Sequence, residues 1–282
     1  MKILILGANG HIGNYLSSYL KAEHEIIPLS KGDLDIREKD SVINIIKSFS
    51  PDIVVQAAGI SNIDYCEDHE TESYSVNTLG TLNVAYACNS LDIPMVYISS
   101  GYVYGDSKET PYFETDKCNP INVYGKSKLA GEKLIRTICK KYFIIRTSWC
   151  FGGTKCYIKK ILDNINSPVF LTSDSIVNPT YIEDLARCIS QIIHSDFYGV
   201  YNCVNTGYVS KRDVVQFIFE YLRSKKDVYS IPCDFTASLA PRPNFSAMDT
   251  KLIYNCFGVI MPTWQDSLTK YLDSIIVFKN YN

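Results

Sequence analysis

Tyr124 and Lys128 are the two side chains in this sequence whose types and spacing best suit acid–base chemistry. If their segment is helical, residues four apart lie on one face, one turn above the other. A free tyrosine titrates near pH ~10, and a nearby ammonium favours the phenolate and lowers that pKa. Such a pair can give a proton to a substrate oxygen or take one from it. Because Tyr-x-x-x-Lys is also common on exposed helices, its meaning depends on the elements around it.

Ser100 is a third candidate group, and it stands where a predicted strand over residues 95–99 ends. Ligands of parallel α/β sheets bind at the carboxyl ends of the strands, so a hydroxyl there can donate to a substrate carbonyl. Structural serines are also common at strand ends. The apolar spacing of residues 123–138 predicts a helix that carries Tyr124 and Lys128. The serine and the pair can therefore face one crevice.

The first 20 residues have the pattern of a dinucleotide-binding unit. Residues 2–6 predict a buried strand, the glycines of a Gly-x-x-Gly-x-x-Gly run (Gly7, Gly10 and Gly13) follow it, and an amphipathic helix runs to residue 20. Glycines permit a tight turn and close approach to a pyrophosphate, and a helix N-terminus offers N–H groups to the anion. Glycines also make plain turns, so the position between the first strand and the first helix is what favours a cofactor. Small residues, including Ala58 and Gly59, end a later strand and leave room for a ligand.

The second predicted strand, over residues 25–29, ends in Ser30 and Lys31, where a strict NAD binder places an acidic residue. A hydroxyl and a cation suit a 2′-phosphate, so we expect NADP(H) as the preferred cofactor and NAD(H) as the alternative. The same residues also suit a solvated turn. The carboxylate of Asp35 is a candidate acceptor for the adenine amino group.

Strands and helices alternate through the first half of the chain, which indicates an α/β fold with a Rossmann-like doubly wound parallel sheet. Helices are predicted over residues 41–49 and 73–90, and a strand over residues 52–56. Beyond residue 150 we predict helices over residues 157–165, 182–194 and 210–224, the last capped by Ser210. The expected division is an NAD(P)-binding domain over residues 1–150 and a smaller, interleaved substrate-binding domain over residues 151–282. A segment near residues 167–197 should return to the first domain, with residues 167–171 adding a strand to its sheet.

Composition excludes several other classes of protein. The 282 residues carry a net charge of -2, which provides no bulk attraction for nucleic acid or an anionic membrane. No run approaches the ~18 apolar residues of a membrane span. The ten cysteines form no Cys-x-x-Cys and have no zinc spacing with histidine, so we expect reduced core thiols in a cytoplasmic protein without a metal.

Ser100, Tyr124 and Lys128, together with the glycine loop, resemble the extended short-chain dehydrogenase/reductase superfamily. Further blocks resemble the dTDP-4-dehydrorhamnose reductases, and they cover nearly the whole chain: residues 1–13, 52–59, 99–105, 111–116, 120–132, 146–149, 178–180, 242–243 and 262–264. The resemblance implies reduction of a nucleotide-diphospho-4-keto-6-deoxyhexose by NAD(P)H, in the synthesis of a surface-polysaccharide precursor. It also allows a homodimer.

The resemblance assigns roles to individual residues. Tyr124 would protonate the keto oxygen, Lys128 would lower its pKa and hold the nicotinamide ribose, and Ser100 would hydrogen-bond the same oxygen. Further residues would line the cofactor: His11, Ile12, Asp35, Ile36, Gly59 and Asn77. Others would contact the substrate: Gly101, Trp149, Asn178 and Arg242. Arg242 stands in a proline-rich loop that can aim its guanidinium at a diphosphate, although an exposed loop arginine is the plain alternative.

Two departures from the family pattern point to a related but different sugar nucleotide. Gly101 stands where the family usually has aspartate, and Phe245 stands in a slot for asparagine on the substrate side. Three other functions stay open: a sugar-nucleotide epimerase, a dehydratase and a non-catalytic regulatory subunit on the same fold. Dehydratases of the superfamily place an Asp-Glu pair where this chain has Gly101 and Tyr102, which argues against dehydration.

Overall fold

A six-stranded parallel sheet lies at the centre of the protein. The computed structural model describes residues 1–153, 156–163, 169–172, 175–223, 228–231 and 239–280. The sheet contains β1 (Lys2–Leu6), β2 (Glu25–Leu29), β3 (Ile53–Gln56), β4 (Met95–Ser100), β5 (Tyr142–Thr147) and β10 (Gly199–Asn202). Their order is β10-β5-β4-β3-β1-β2, so the direction of winding reverses between β1 and β3. The predicted doubly wound sheet is confirmed, and its reversal point is where such folds bind ligands.

Helices cover both faces of this sheet and build the C-terminal part. They are α1 (His11–Leu20), α2 (Lys39–Phe49), α3 (Ile63–Asp68), α4 (Glu70–Tyr74), α5 (Thr81–Ser90), α6 (Val123–Ile138), α7 (Tyr157–Asp163), α8 (Ile182–Ile192), α9 (Lys211–Tyr221), α10 (Lys251–Phe257) and α11 (Trp264–Asn280). A π-helical segment, Ser75–Gly80, joins α4 to α5 inside the predicted helix over residues 73–90. The predicted cap of α9 is confirmed, because the Ser210 side chain accepts a hydrogen bond from the Asp213 N–H.

The strand predicted to return to the main sheet at residues 167–171 is wrong for the residues that the structure describes. Here β7 (Val169–Thr172) pairs in parallel with β12 (Val228–Ile231) in a separate two-stranded sheet. The sixth strand is β10, whose residues pair with β5 from Gly199 to Asn202. Four residues that begin with glycine and end with asparagine carry a weak strand signal, so pairing with β5 decides their conformation.

Four short strands complete the described part: β6 (Cys150–Phe151), β8 (Ile176–Val177), β9 (Thr180–Tyr181) and β11 (Val209–Ser210). β6 pairs with β9 and β8 pairs with β11. The pairing of β6 with β9 ties the segment after β5 to the entrance of α8. These small pairings therefore attach the C-terminal part to the end of the main sheet.

The core has a layer on each side of the sheet, a cluster in the C-terminal part, and a smaller cluster that contains Tyr104 and Tyr112. Ile3 and Ile5 face one layer, and Leu4 and Leu6 face the other, as the two-residue period of a strand requires. The C-terminal cluster is formed by α7, α9 and α11 around Phe151. Side chains of α1 pack against both this cluster and one face of the sheet, so the two parts share a boundary.

Two sequence expectations concern whole-chain properties. No helix among the described residues is long and apolar enough to cross a membrane. The cysteines within the described ranges are all free thiols, and Cys88, Cys139 and Cys188 are buried in the core. They behave as small hydrophobic residues, as their apolar surroundings in the sequence predict. Cys233 lies outside the described residues.

Candidate active site

Three adjoining cavities form a crevice along the carboxyl ends of the sheet strands. The first, of about 210 Å³, runs from Gly7 to Lys31 and Asp35. The central cavity, of about 270 Å³, shares Gly10 and Gly59 with the first. The third cavity has a volume of about 180 Å³. Five residues line both the third and the central cavity: Ser61, Ser100, Tyr124, Ser148 and Trp149. One continuous crevice therefore joins the glycine loop to the C-terminal part.

The glycine loop borders the first cavity through Gly7, Asn9 and Gly10. Gly7 has a φ of +83°, and a Cβ there would lie 2.5 Å from the Ala58 backbone nitrogen. A Cβ on Gly13 would lie 2.3 Å from the Gly7 carbonyl oxygen, although Gly13 itself lines none of the three cavities. Gly13 therefore lets α1 pack tightly on the loop, while Gly10 faces the crevice. The positions and types of these glycines follow the dinucleotide-binding pattern.

Of the two residues that were expected to bind a 2′-phosphate, only Lys31 lines the first cavity. Lys31 lines the cavity, together with Asp35 and Ile36. Ser30 does not, because its hydroxyl donates to Asp33 Oδ2 at 2.6 Å and its N–H donates to the same oxygen at 2.8 Å. Arg37 bonds both carboxylate oxygens of Asp35 and holds the pKa of that carboxyl down at about 2. The side chain available for a 2′-phosphate in this cavity is therefore that of Lys31, without the Ser30 hydroxyl.

The central cavity brings Ser100, Tyr124 and Lys128 together. α6 begins at Val123 after the Asn122 cap, whose side chain accepts from the Gly125 N–H at 2.8 Å. A Cβ on Gly125 would lie 2.3 Å from the Tyr102 carbonyl oxygen, so this glycine lets α6 approach the turn that follows Ser100. The close contact sets Tyr124 beside the end of β4.

Burial controls the ionisation of this group. Burial raises the pKa of Tyr124 above its ordinary value of 10.0, and a hydrogen bond with Ser100 acts in the opposite direction. Burial also lowers the pKa of Lys128 to about 7, with the charge of Glu132 opposing it. That Lys128 lowers the Tyr124 pKa stays a prediction, because burial, which acts in the opposite direction, has the largest influence on Tyr124 in this structure.

Lys128 is 5% exposed and sits among groups that the sequence did not suggest. Its Nζ lies 4.0 Å from the centroid of the Tyr97 ring. One turn further along α6, Glu132 forms a buried pair with Arg146 of β5, with Nη2 2.6 Å from Oε2. The Ser99 hydroxyl donates to the same carboxylate at 2.5 Å. Glu132 follows Lys128 by four residues, so the helical repeat of α6 would have predicted that the two side chains are neighbours.

Asn77 fixes the wall between the first and central cavities. Its Oδ1 accepts from the Ile60 N–H at 2.8 Å, and its Nδ2 donates to the Ile60 carbonyl and to Ser127 Oγ, both at 3.0 Å. A Cβ on Gly59 would lie 2.9 Å from Asn77 Oδ1. Asn77 belongs to the π-helical segment, and such segments are frequent at functional sites. Its side chain thus ties the end of β3 to α6.

His11 and Ile12 open α1 and line the central cavity. The His11 ring nitrogen Nε2 lies 2.9 Å from the Gly152 carbonyl oxygen, so this side chain also contacts the segment after β6. Ala58 and Gly59 line the first cavity, as their position at a strand end predicts.

The third cavity contains Gly101, Tyr102 and Trp149, with the Tyr102 ring at right angles to Tyr124 and 6.1 Å from it. A Cβ on Gly101 would lie 2.9 Å from Met248 Cε. A side chain at position 101 would therefore have to displace the flexible end of the Met248 side chain.

Three residues expected on the substrate side lie outside the crevice formed by the described residues. Arg242 pairs with Asp64, with Nη1 3.0 Å from Oδ1 and Nη2 2.8 Å from Oδ2. Asn178 is buried, and its Oδ1 accepts from the Met248 N–H at 2.7 Å. Phe245 packs in a core cluster rather than in the crevice. Their contact with a substrate stays a prediction for Asn178 and Arg242.

Several lining residues were missed by the sequence reasoning. They are Asn9, Ser61, Thr147, Ser148, Cys150, Lys211 and Ser246. Thr147 and Ser148 follow the end of β5, so the strand-end rule that identified Ser100 would also have found them. Lys211 and Ser246 come from distant segments whose approach only the tertiary structure shows.

Comparison with known proteins places the chain in a family. A family model described as "RmlD substrate binding domain" matches residues 1–277. The chain belongs to the dTDP-4-dehydrorhamnose reductase family. It is 33% identical to the dTDP-4-dehydrorhamnose reductase of Aggregatibacter actinomycetemcomitans, over 95% of this chain and 97% of that protein. It is 32% identical to the spore coat polysaccharide biosynthesis protein SpsK of Bacillus subtilis, over 96% of each.

Solved structures of this family have the same fold. The dTDP-4-dehydrorhamnose reductase of Bacillus anthracis, solved in complex with NADP, superposes with a TM-score of 0.92 at 32% identity. The match covers 97% of this chain and 99% of that one. The family resemblance predicted from the motifs is confirmed.

Proposed function

We propose that the protein is an NADPH-dependent reductase of a nucleotide-diphospho-4-keto-6-deoxyhexose that serves surface-polysaccharide precursor synthesis. The observation that carries the proposal is the placement of Ser100, Tyr124 and Lys128 in the central cavity. That cavity joins the glycine-loop cavity on one side and the third cavity on the other. A cofactor and a substrate can therefore meet at these three side chains, and the relatives from Aggregatibacter actinomycetemcomitans and Bacillus anthracis are named as dTDP-4-dehydrorhamnose reductases.

The first cavity fits a dinucleotide. Gly7 and Gly10 border this cavity without side chains, which suits the close approach of a pyrophosphate. Lys31 would bind a 2′-phosphate and Asp35 would accept from the adenine amino group, which favours NADPH and leaves NADH as the alternative. The NADP complex of the Bacillus anthracis relative supports this choice. The bound nicotinamide would supply the hydride.

The residues of the chain would supply the proton and stabilise the developing charge. Negative charge builds on the keto oxygen during reduction, and the hydroxyls of Ser100 and Tyr124 converge on one cavity wall to receive it. Because burial raises the pKa of Tyr124, its hydroxyl stays protonated at neutral pH and can donate its proton. Lys128 would hold the nicotinamide ribose, and Trp149 would pack against the sugar.

The alternative functions find less support in the crevice. Dehydratases of the superfamily carry an Asp-Glu pair after the catalytic hydroxyl, where this chain has Gly101 and Tyr102. An epimerase would retain NAD without net oxidation of NADPH, and a regulatory subunit would not need Ser100, Tyr124 and Lys128 in one cavity. The division near residue 150, the homodimer and the cytoplasmic location remain predictions.

The proposal is tested by following NADPH oxidation with dTDP-, GDP-, CDP- and UDP-linked 4-keto-6-deoxyhexoses. Oxidation with one of them would establish the reaction and name the nucleotide. Tyr124→Phe should lose turnover by roughly two to four orders of magnitude, because it removes the proton donor, while its NADPH affinity stays near that of the wild type. Unchanged turnover in Tyr124→Phe would contradict the assigned role. Tightly retained NAD with no NADPH oxidation would favour the epimerase.

A further inference from the structure

Three elements of the candidate active site meet at one buried carboxylate, that of Glu132. The Ser99 hydroxyl of β4 donates to Glu132 Oε1 at 2.5 Å. Arg146 of β5 donates to the same carboxylate of α6, from Nε at 3.0 Å and from Nη2 at 2.6 Å. The three side chains are at most 2% exposed. One carboxylate therefore joins two strands to a helix without contact with solvent.

The network lies directly behind groups that line the central cavity. Ser99 precedes Ser100 on β4, and Arg146 precedes Thr147 on β5. In the sheet, Ser99 pairs with Arg146, and Ser100 pairs with Thr147. Side chains alternate between the two faces of a strand, so Ser99 and Arg146 share the face that α6 covers, while Ser100 and Thr147 border the crevice.

Buried ion pairs such as Glu132 and Arg146 contribute little net stability, because both charges lose their water. Replacement of such a pair by apolar residues of similar volume is often neutral or stabilising. What the pair provides is direction, since two guanidinium nitrogens donate to the two carboxylate oxygens. The third nitrogen, Nη1, donates to the Tyr104 hydroxyl at 2.8 Å. The network therefore suits a role in geometry more than a role in stability.

The geometry that this network would fix is the approach of Ser100 to Tyr124. Ser100 ends β4, Tyr124 lies in the first turn of α6, and a hydrogen bond joins the two side chains. Two hydroxyls stabilise charge on one keto oxygen only if they are already in place. That requires a fixed spacing between β4 and α6, and the bond from Ser99 to Glu132 bridges this strand and this helix.

We propose that Glu132 is a positioning residue of the reduction, which through Ser99 holds β4, and with it Ser100, at a fixed distance from Tyr124 on α6. The proposal rests on the proposed function for its reaction. The spacing of the strand and the helix, however, can be tested without any substrate.

Ser99→Ala removes the bond to Glu132 and leaves every charge in place. Ser267→Ala is a matched control, because Ser267 is 3% exposed and donates to a buried carboxylate oxygen, Asp184 Oδ2, at 2.6 Å. Neither residue of this second pair is among the described residues that line the three cavities.

Ser99→Ala should lower kcat by roughly 10- to 100-fold, because a displacement of about 1 Å between reacting groups can cost about that much. The KM for the keto-sugar nucleotide and the affinity for NADPH should stay within about threefold of the wild type. Ser267→Ala should keep the kcat of the wild type. Equal losses of kcat in the two serine variants would overturn the proposal, because they would indicate general damage.

A double substitution, Glu132→Met with Arg146→Met, separates positioning from stability. It removes both charges together, so its stability in urea should stay closer to that of the wild type than the stability of Glu132→Gln does. Its kcat should nevertheless fall as far as that of Ser99→Ala. Adding Ser99→Ala to this double variant should lower kcat by less than about twofold more, because the bond is already absent. A large further fall would overturn the proposal, since Ser99, which also lines the central cavity, would then act on the substrate directly.

Hydrogen–deuterium exchange over residues 98–104 and 122–130 tests the positions without a substrate. Ser99→Ala should speed exchange in both segments by at least about tenfold, whereas Ser267→Ala should leave both near the wild type. Unchanged exchange in Ser99→Ala, or an unchanged kcat in an active enzyme, would overturn the proposal. If exchange changes as expected but no keto-sugar is reduced, the bridging role of Glu132 stands while the reductase function fails.

Discussion

The buried ammonium of Lys128 should make the free energy of unfolding depend on pH. Replacing Lys128 by an uncharged residue should remove this dependence. Burial lowers the Lys128 pKa from 10.5 to about 7, and no hydrogen bond or ion pair within the described residues reaches its Nζ. Each pKa unit equals about 1.4 kcal/mol, so the charged form costs about 4–5 kcal/mol in the folded protein. Lys128→Met, which keeps the length of the side chain without its charge, should relieve that cost.

The sign follows from proton binding in the two states. Below pH ~7 the lysine is charged in both the folded and the unfolded chain, so the full cost is present. As the pH rises from about 7 toward 10.5, the folded chain releases its proton first, and the stability of the wild type increases. Between pH ~6 and pH ~9 the advantage of Lys128→Met over the wild type should shrink by roughly 3 kcal/mol.

Urea unfolding at four pH values in this range, under reducing conditions, measures the difference directly. The exposed Lys126, on the same helix, supplies the control substitution Lys126→Met, whose stability should follow the wild type at every pH within about 0.5 kcal/mol. A stability difference between Lys128→Met and the wild type that does not change with pH would refute the reasoning. It would mean that Lys128 keeps an ordinary pKa and that the lysine charge persists in the buried site.

Three further substitutions test other parts of the site. Glu132→Gln should lower the free energy of unfolding by about 3–5 kcal/mol, because its buried arginine partner loses its counter-charge, and a change below about 1 kcal/mol in urea unfolding would contradict this. Gly59→Ala should cost about 1–3 kcal/mol and weaken NADPH binding, since the new methyl group meets Asn77 Oδ1; unaltered NADPH titration would show that the wall adapts. Lys31→Met should weaken NADPH binding roughly tenfold and leave NADH binding nearly unchanged, and equal losses for both cofactors would remove Lys31 from the 2′-phosphate.

The sequence by itself determined the features that depend on local geometry. The order of β1, the glycine loop and α1 follows from short-range periodicity and from the backbone freedom of Gly7, whose φ is positive. Tyr124 and Lys128 share a face of α6 because helical repeat alone places residues four apart together. The doubly wound sheet followed from the alternation of strands and helices, and the strand-end rule placed Ser100 at the crevice.

Only the tertiary structure decided the features that depend on distant contacts and on water. β10 became a sheet strand through pairing with β5, although its own four residues carry little strand signal. Arg242 pairs with Asp64 outside the crevice, whereas Lys211 at the start of α9 lines the third cavity. The pKa of Lys128 was likewise set by burial, which no spacing in the sequence reveals. Periodicity is encoded in neighbouring residues, whereas charge partners and exclusion of water arise only when separate elements pack together.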